Sequence, residues 1–311
     1  MPAPRLPATV PESALVFDRH LVRRHRDRAA PGFAAHDFLF AEIGERLLDR
    51  LDDVTHRFPL ALDLGCRQGL LARLLNGRGG IRQLVQCDLS GGMLRRARGT
   101  GPLLQADEEA LPFREESLDL VLSNLSLHWV NDLPGALIQI NRALKPDGLF
   151  LAAIFGGATL HELRDCLTEA EAAETGGASP RVSPYADLRD AAGLLQRAGF
   201  ALPVADAETL TVTYADMGRL MADLRAMGES NAVLQRLRRP TRRTVLAHAA
   251  ALYAARYGLP DGRIPATFQV LFLTGWAPHE SQQKPLRRGS AQARLADALD
   301  GVEASTGEKA G

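Results

Sequence analysis

The sequence predicts an α/β protein: a doubly wound, mainly parallel, seven-stranded sheet with a helical cap inserted near its C-terminal strands. Three observations predict it. Between about residues 58 and 155, short apolar runs alternate with segments at helical spacing. Those runs are continuously apolar rather than alternating, as expected for strands buried on both faces of a parallel sheet. Two more strand-like segments come late, separated by a mainly helical stretch, and would complete the sheet as a hairpin.

Taken in order, "PLALDLG" is the first strand and "LLARLLN" the helix after it. "IRQLVQCDLS" is a second strand ending in an acid, and "GMLRRAR" is helical. "PLLQADEEALPF" gives a short third strand and a loop, and "LDLVLSNLS" a fourth strand. "LPGALIQINRAL" is a helix stopped by the Pro-Gly signal "KPDG", and "LFLAAIF" is the fifth strand. Right-handed crossovers wind such units onto both faces of the sheet, and ligands bind beyond the carboxyl ends of the strands. After Phe155, "ATLHELRDCLTEAEAAE" and "YADLRDAAGLLQRAGF" read as helices. "AETLTVTY" is a strand, 215–257 is helical with Pro240 between two segments, and "ATFQVLFLTGW" is the last strand. The expected organisation is a helical lid over 1–57, a main domain over 58–288 with its insertion at about 215–260, and a disordered tail over 289–311.

Lys+Arg and Asp+Glu both total 37 in 311 residues, so the chain lacks the basic footprint of a nucleic-acid binder. Three cysteines, Cys66, Cys87 and Cys166, suggest a reducing compartment without a disulfide framework. The expected location is the cytoplasm, or the mitochondrial matrix in a eukaryote. No apolar stretch approaches the ~20 residues of a membrane span. No secretory signal is visible, although the Arg-rich start leaves room for a short organelle leader before Phe17.

The stretch "LALDLGCRQGL" carries the cofactor reading. A nucleoside cofactor on this sheet needs a glycine turn after the first strand and an acid ending the second. Gly65 and Gly69 supply the turn; Asp88, followed by Leu89, supplies the acid for the ribose hydroxyls. Asp107 and Glu108 offer polar groups to the adenine edge, with Leu111 and Phe113 to cover the ring, and Asn124 ends the fourth strand. The dinucleotide fingerprint fails, because it demands glycine at 67 and 70, where the chain has Arg67 and Leu70. Asp63 favours S-adenosylmethionine, whose ammonium an acid near the first glycine would face. At Arg67 the usual middle glycine is lost. Its side chain is expected either to turn outward, leaving the floor of the pocket open, or to turn inward with its donor fork facing the cofactor's carboxylate.

These residues resemble the class I S-adenosylmethionine-dependent methyltransferase superfamily. With "FDRHLVRRHRDRAA", "ADEEALPF", "LSNLSLHWVNDLPGALIQINRALKPDG", "FGGATLHELR", "DLRAMGESNA" and "PHESQQKP" included, the chain resembles the mitochondrial complex I assembly factor family over about residues 17–292. More distantly it is similar to malonyl-carrier-protein O-methyltransferases. The resemblance implies a methyltransferase fold, Asp63, Gly65, Gly69, Asp88, Asp107 and Asn124 as cofactor contacts, protein-arginine hydroxylation, and a respiratory complex I subunit as partner. That family has glycine where this chain has Arg67.

Other candidates are weaker. His128 follows the fourth strand and is the one candidate general base; the plainer reading is a His128–Trp129 packing pair. His25-Arg26-Asp27 has a His-x-acid spacing but sits in a basic segment, and no zinc or iron motif is present. His279-Glu280 reads as a solvated turn or part of a partner surface. Arg19, Arg23, Arg24, Arg26 and Arg28 are read as the solvated face of a helix lying over the pocket, rather than as a membrane or acidic-surface anchor. Three functions follow: a methyltransferase-fold enzyme, an assembly or modifying factor acting on arginine, or a binding module with a vestigial cofactor site.

Overall fold

A computed structural model of the chain describes residues 15–97 and 99–283. The expected tail over 289–311 and leader before Phe17 lie largely or wholly outside them. Of the described residues, those up to Pro278 form one compact unit. The elements run α1 (Arg19–Ala29), α2 (Phe38–Asp52), β1 (Leu60–Leu64), α3 (Leu70–Leu74), β2 (Gln83–Asp88), α4 (Gly91–Arg96), β3 (Leu103–Gln105), β4 (Leu118–Asn124), α5 (Leu133–Ala143), β5 (Leu144–Phe155), α6 (His161–Thr175), α7 (Leu188–Arg197), β6 (Ala201–Tyr214), α8 (Met217–Ala226), α9 (Arg243–Tyr257) and β7 (Ile264–Trp276).

Among the described residues the sheet has seven strands in the order β3-β2-β1-β4-β5-β7-β6. β1 to β5 pair in parallel, and β7 runs antiparallel between β5 and β6. The predicted architecture is therefore present, late hairpin included. β1 and β4 are buried almost throughout, as two-sided coverage by helices requires. Two apolar clusters fill the two faces; one gathers α2, α6 and α9 residues such as Leu47, Cys166 and Tyr253, the other α5 and α7 residues such as Ile140 and Leu195.

Local chemistry sets the helix starts. Asp18, Ser90, Asp132 and Asp216 each accept a backbone N–H from the first turn of α1, α4, α5 and α8. One boundary differs from the sequence reading. "KPDG" ends α5, but it already belongs to β5, as a bulge opposite Leu118–Leu120 with Asp147 at φ 64°. The extra residues are absorbed by the bulge, so Pro-Gly punctuation here bends the strand rather than preceding it.

The switch point between β1 and β4 lies where the crossovers diverge, with the turn after β1 at its centre. α1 meets this edge through Arg19 and Arg26, and the loop after α8 reaches it through Glu229.

Candidate functional site

The chain leaves β1 through Gly65 (φ 79°), Arg67 (φ 53°) and Gly69 (φ 71°) before entering α3. Gly65 is required sterically: a Cβ there would stand 2.1 Å from Ser126 Oγ. Arg67 adopts the same left-handed region without that freedom, a strain of about 1–2 kcal/mol. Its backbone N–H donates to Asp88 Oδ2 at 3.0 Å, which anchors the turn on the end of β2. The side chain does not take the outward pose, one of the two expected. It turns inward, is only 2% exposed, and its Nη2 donates to Glu229 Oε1 at 2.5 Å and to the Leu125 carbonyl at 3.2 Å. The Phe40 ring lies 5.0 Å from the guanidinium. The turn thus gains a buried cation, and a carboxylate from the cap neutralises it.

The acids expected to meet a nucleoside are met by arginines of α1. Arg26 is fully buried; Nη1 approaches Asp88 Oδ1 at 3.4 Å and Glu108 Oε1 at 2.9 Å, and Nη2 donates to Ser126 Oγ at 2.8 Å. Arg19 reaches Asp107 Oδ1 at 2.5 Å and also pairs with Glu108. The α1 arginines are therefore not a purely solvated face: two of the five point into the protein. Burial alone would raise the Glu108 carboxyl, but Arg19 and Arg26 hold it well below the usual carboxylate range. Asp88 also accepts the Ser90 N–H at 2.7 Å. Leu89 packs beside Phe17 and Trp129 rather than opening a pocket. Leu111 and Phe113 are partly buried against the other face of the sheet.

Asp63 differs from these acids. It is buried, and neither carboxylate oxygen has a hydrogen-bond partner. Burial, with the nearby Asp88 charge, pushes its pKa up to about 8. Asp63, Cys66, Arg67 and Asn124 line a void of about 10 Å³, beside Gly65 and Phe40. That is room for about one water, whereas pockets for drug-sized ligands run to about 300–1,000 Å³. Asn124 donates to the Phe40 carbonyl at 2.8 Å, and its Oδ1 has no partner. An orphaned acid and an orphaned amide oxygen, side by side, are acceptors suited to an ammonium group.

A stability test follows from Asp63. The folded state holds this proton up to about pH 8, while an unfolded carboxyl releases it near 3.8. The folded form therefore binds more protons across that window, and stability falls as pH rises through it. Asp63→Asn is expected to match the wild type near pH 4 and to exceed its melting temperature by several degrees at pH 8. A constant difference across a melting series over this range would contradict the assignment.

The other side of the turn is built by Glu229, in the loop after α8. One oxygen receives Arg67; the other lies 3.1 Å from His128 Nε2 and 2.8 Å from Trp129 Nε1. Burial would raise Glu229, but Arg67 and the His128 hydrogen bond bring it down to about 2. His128 is itself pushed down by burial, and its Nδ1 has no partner. The structure thus puts His128 behind Glu229, where a neutral imidazole orients the carboxylate. Glu229 and Tyr185 line a cavity of about 350 Å³ between α6, α8 and the cap loops, walled by Leu163, Leu167 and Leu224. Sequence reasoning gave no role to Glu229, Ser126 or Tyr185, although "DLRAMGESNA" contains the first of them. Cys66 lines the void and Cys87 lies on β2; both thiols are buried and raised by burial. His25 Nδ1 donates to the Ser230 carbonyl at 3.1 Å, and no group of three or more metal-ligating side chains occurs among the described residues.

Residues 62–152 match the methyltransferase domain family. Over 91% of its length the chain is 46% identical to the mitochondrial arginine-hydroxylase NDUFAF5 of Danio rerio, covering 89% of that protein. The chain belongs to the arginine-hydroxylase NDUFAF5 family. It is thus a methyltransferase-fold enzyme, as the sequence motifs predict. A second relative is the malonyl-[acyl-carrier protein] O-methyltransferase of Halorhodospira halophila, 38% identical over 88% of this chain and 93% of its own. Among solved structures, the YcgJ protein of a Bacillus shares the fold, with a TM-score of 0.53 at 14% identity over 76% of this chain and 99% of its own. No helix of the described residues is long and apolar enough to cross a membrane.

Proposed function

We propose that this enzyme binds S-adenosylmethionine at the β1 turn and modifies an arginine side chain of a protein partner, a respiratory complex I subunit, held beneath the cap. One observation carries this reading: the linings of the void at the turn and of the cap cavity meet in a single ion pair, Arg67–Glu229. A cofactor site and an acceptor site that share one wall is the arrangement group transfer needs, because aligning the reactants is most of the catalysis. The name of the arginine-hydroxylase relative supports arginine as acceptor. The reading gives residues up to 57 the role of lid and 215–260 that of cap, and places the enzyme in the cytoplasm, or in the matrix of a mitochondrion.

The residues of the turn fit the cofactor. Asp63 would take its ammonium, Asp88 the ribose hydroxyls, and Asp107 and Glu108 the adenine edge, with Gly65, Leu89, Gly69 and Asn124 shaping the rim. When bound, it supplies an electrophilic methyl group on a sulfonium. To admit it, Arg26 and Arg19 must leave Asp88, Asp107 and Glu108. α1 can yield, because its hold is mostly ionic: Val22 and Ala29 are its buried apolar residues. Arg67 must also give room.

Calorimetric titration with S-adenosylmethionine and S-adenosylhomocysteine tests the cofactor; absence of heat at millimolar ligand overturns it. Mass spectrometry of arginine-bearing acceptors after incubation then separates the chemistries. Gain of a methylene marks methyl transfer, and gain of an oxygen marks hydroxylation, the reading the 46% identical relative favours.

A further inference from the structure

The cap cavity combines an apolar bore with one buried carboxylate. Leu163, Leu167, Leu224 and Leu246 wall it, and Glu229, 2% exposed at its side chain, stands in its lining. A lone buried carboxylate is tolerated only with a cation beside it. The cation present is Arg67, and it is poorly served there. Its Nε and Nη1 have no hydrogen-bond partner, and its backbone stands at φ 53°. A guanidinium carries five N–H donors in a fixed fork, so this internal occupant leaves part of its capacity unused. An arginine entering from outside would lay its methylene stem along the leucines and bring its head to the same carboxylate.

The entrance has the opposite charge. Arg225, which is exposed, and Arg236 line the cavity, and Arg28 of α1 donates to Ser230 Oγ, also in its lining, at 3.2 Å. Asp18 lies 3.6 Å from Arg236, and Arg181 is already paired with Glu171. Such a rim repels a bare cation and attracts an acidic segment.

We propose that the cavity receives an arginine flanked by acidic residues, with Glu229 seating the guanidinium, Arg28, Arg225 and Arg236 taking the flanking carboxylates, and Arg67 acting as the stand-in that gives way. This rests on the arginine-acceptor reading above, and adds the seat and the sequence context that the acceptor requires.

The test omits cofactor, so its result is independent of S-adenosylmethionine binding. Arg67→Gly frees Glu229. The probe is the blocked tripeptide acetyl-Glu-Arg-Glu-amide, followed by calorimetry and thermal shift. The variant is expected to bind it roughly tenfold or more tightly than the wild type. The citrulline counterpart, equal in shape but uncharged, is expected not to bind, and a further Glu229→Gln change is expected to abolish arginine binding. Acetyl-Gln-Arg-Gln-amide is expected to bind more weakly, and the difference to shrink in salt. Should Arg67→Gly fail to fold, Arg67→Gln serves, since it also removes the competing charge. Equal binding of arginine and citrulline peptides, or no gain over wild type in the folded variant, overturns the seat. Equal binding of the two arginine peptides overturns the role of the rim. If the seat stands and S-adenosylmethionine gives no heat, only the cofactor reading falls.

Discussion

Arg26→Ala is expected to lower stability by about 3–5 kcal/mol, the usual cost of removing one partner from a buried ion cluster. That corresponds to a drop on the order of 10 °C in melting temperature. Arg26 is fully buried and serves Asp88, Glu108 and Ser126 at once. Without it, Asp88 keeps only its backbone donors, and Glu108 keeps Arg19 and the Ser126 hydroxyl. The loss depends on pH in a defined sense. Glu108 is held below its ordinary range in the fold, so its contribution is present above about pH 4.5 and fades as pH falls further. The variant should therefore differ most from the wild type near neutrality and least in acid. Calorimetric melts across that range decide it; a drop under 1 °C at pH 7 would show that α1 is not held by this cluster. If Arg26 also competes with the cofactor, the folded variant should bind S-adenosylmethionine more tightly while being less stable without it, a combination that simple damage to the site would not give.

Glu229→Gln is the second change with a large expected effect. It strands Arg67 in a site that is 2% exposed and weakens the support of His128 and Trp129. The expected cost is again about 3–5 kcal/mol. Combining it with Arg67→Gly should recover part of that loss, with a coupling of about 0.5–3 kcal/mol in the double-mutant cycle. The fold lowers the Glu229 pKa from 4.5 to about 2, so its contribution is complete above 4.5 and is lost as pH falls through 2. The Gln variant should lack that part of the acid dependence. Additive single-mutant effects in urea melts would separate the two residues and remove the shared wall between the cavities.

The fold was legible because its determinants are local. Continuous apolar strands, helical spacing between them and an acid at the end of β2 each declare themselves within a dozen residues. The acid frame was legible for the same reason: Asp63, Asp88 and Asp107 hold fixed places at strand ends. What each acid touches was not legible. Arg26 and Arg23 look alike in "RHLVRRHRDRAA", yet one is buried and the other exposed; only the side of α1 that meets Asp88, Glu108 and Ser126 separates them. Glu229 lies 162 residues from Arg67, a pairing that periodicity cannot reveal. The pairing of Arg67 with a carboxylate of the chain itself was missed along with it, since without that carboxylate an outward arginine is the cheaper choice. The bulge in β5 escaped because "KPDG" carries the same turn signal whether it ends a helix or kinks a strand.

The hairpin of β6 and β7 has a consequence for how such an enzyme changes over time. Tyr214 and Ile264 are paired neighbours across the two strands, so the polypeptide between them departs from and returns to a single point of the sheet. Replacing that excursion by a tight turn would leave the ladder in place, but it would take Glu229 from Arg67 in the β1 turn. The excursion contains α8, Glu229, Arg236 and α9, which supply one side of the cap cavity. On the reading proposed above, acceptor choice is then written largely in one passage of the chain, tied to the β1 turn through Arg67–Glu229. A lineage can rewrite that passage by insertion or exchange at one splice point, provided that residue 67 changes with it.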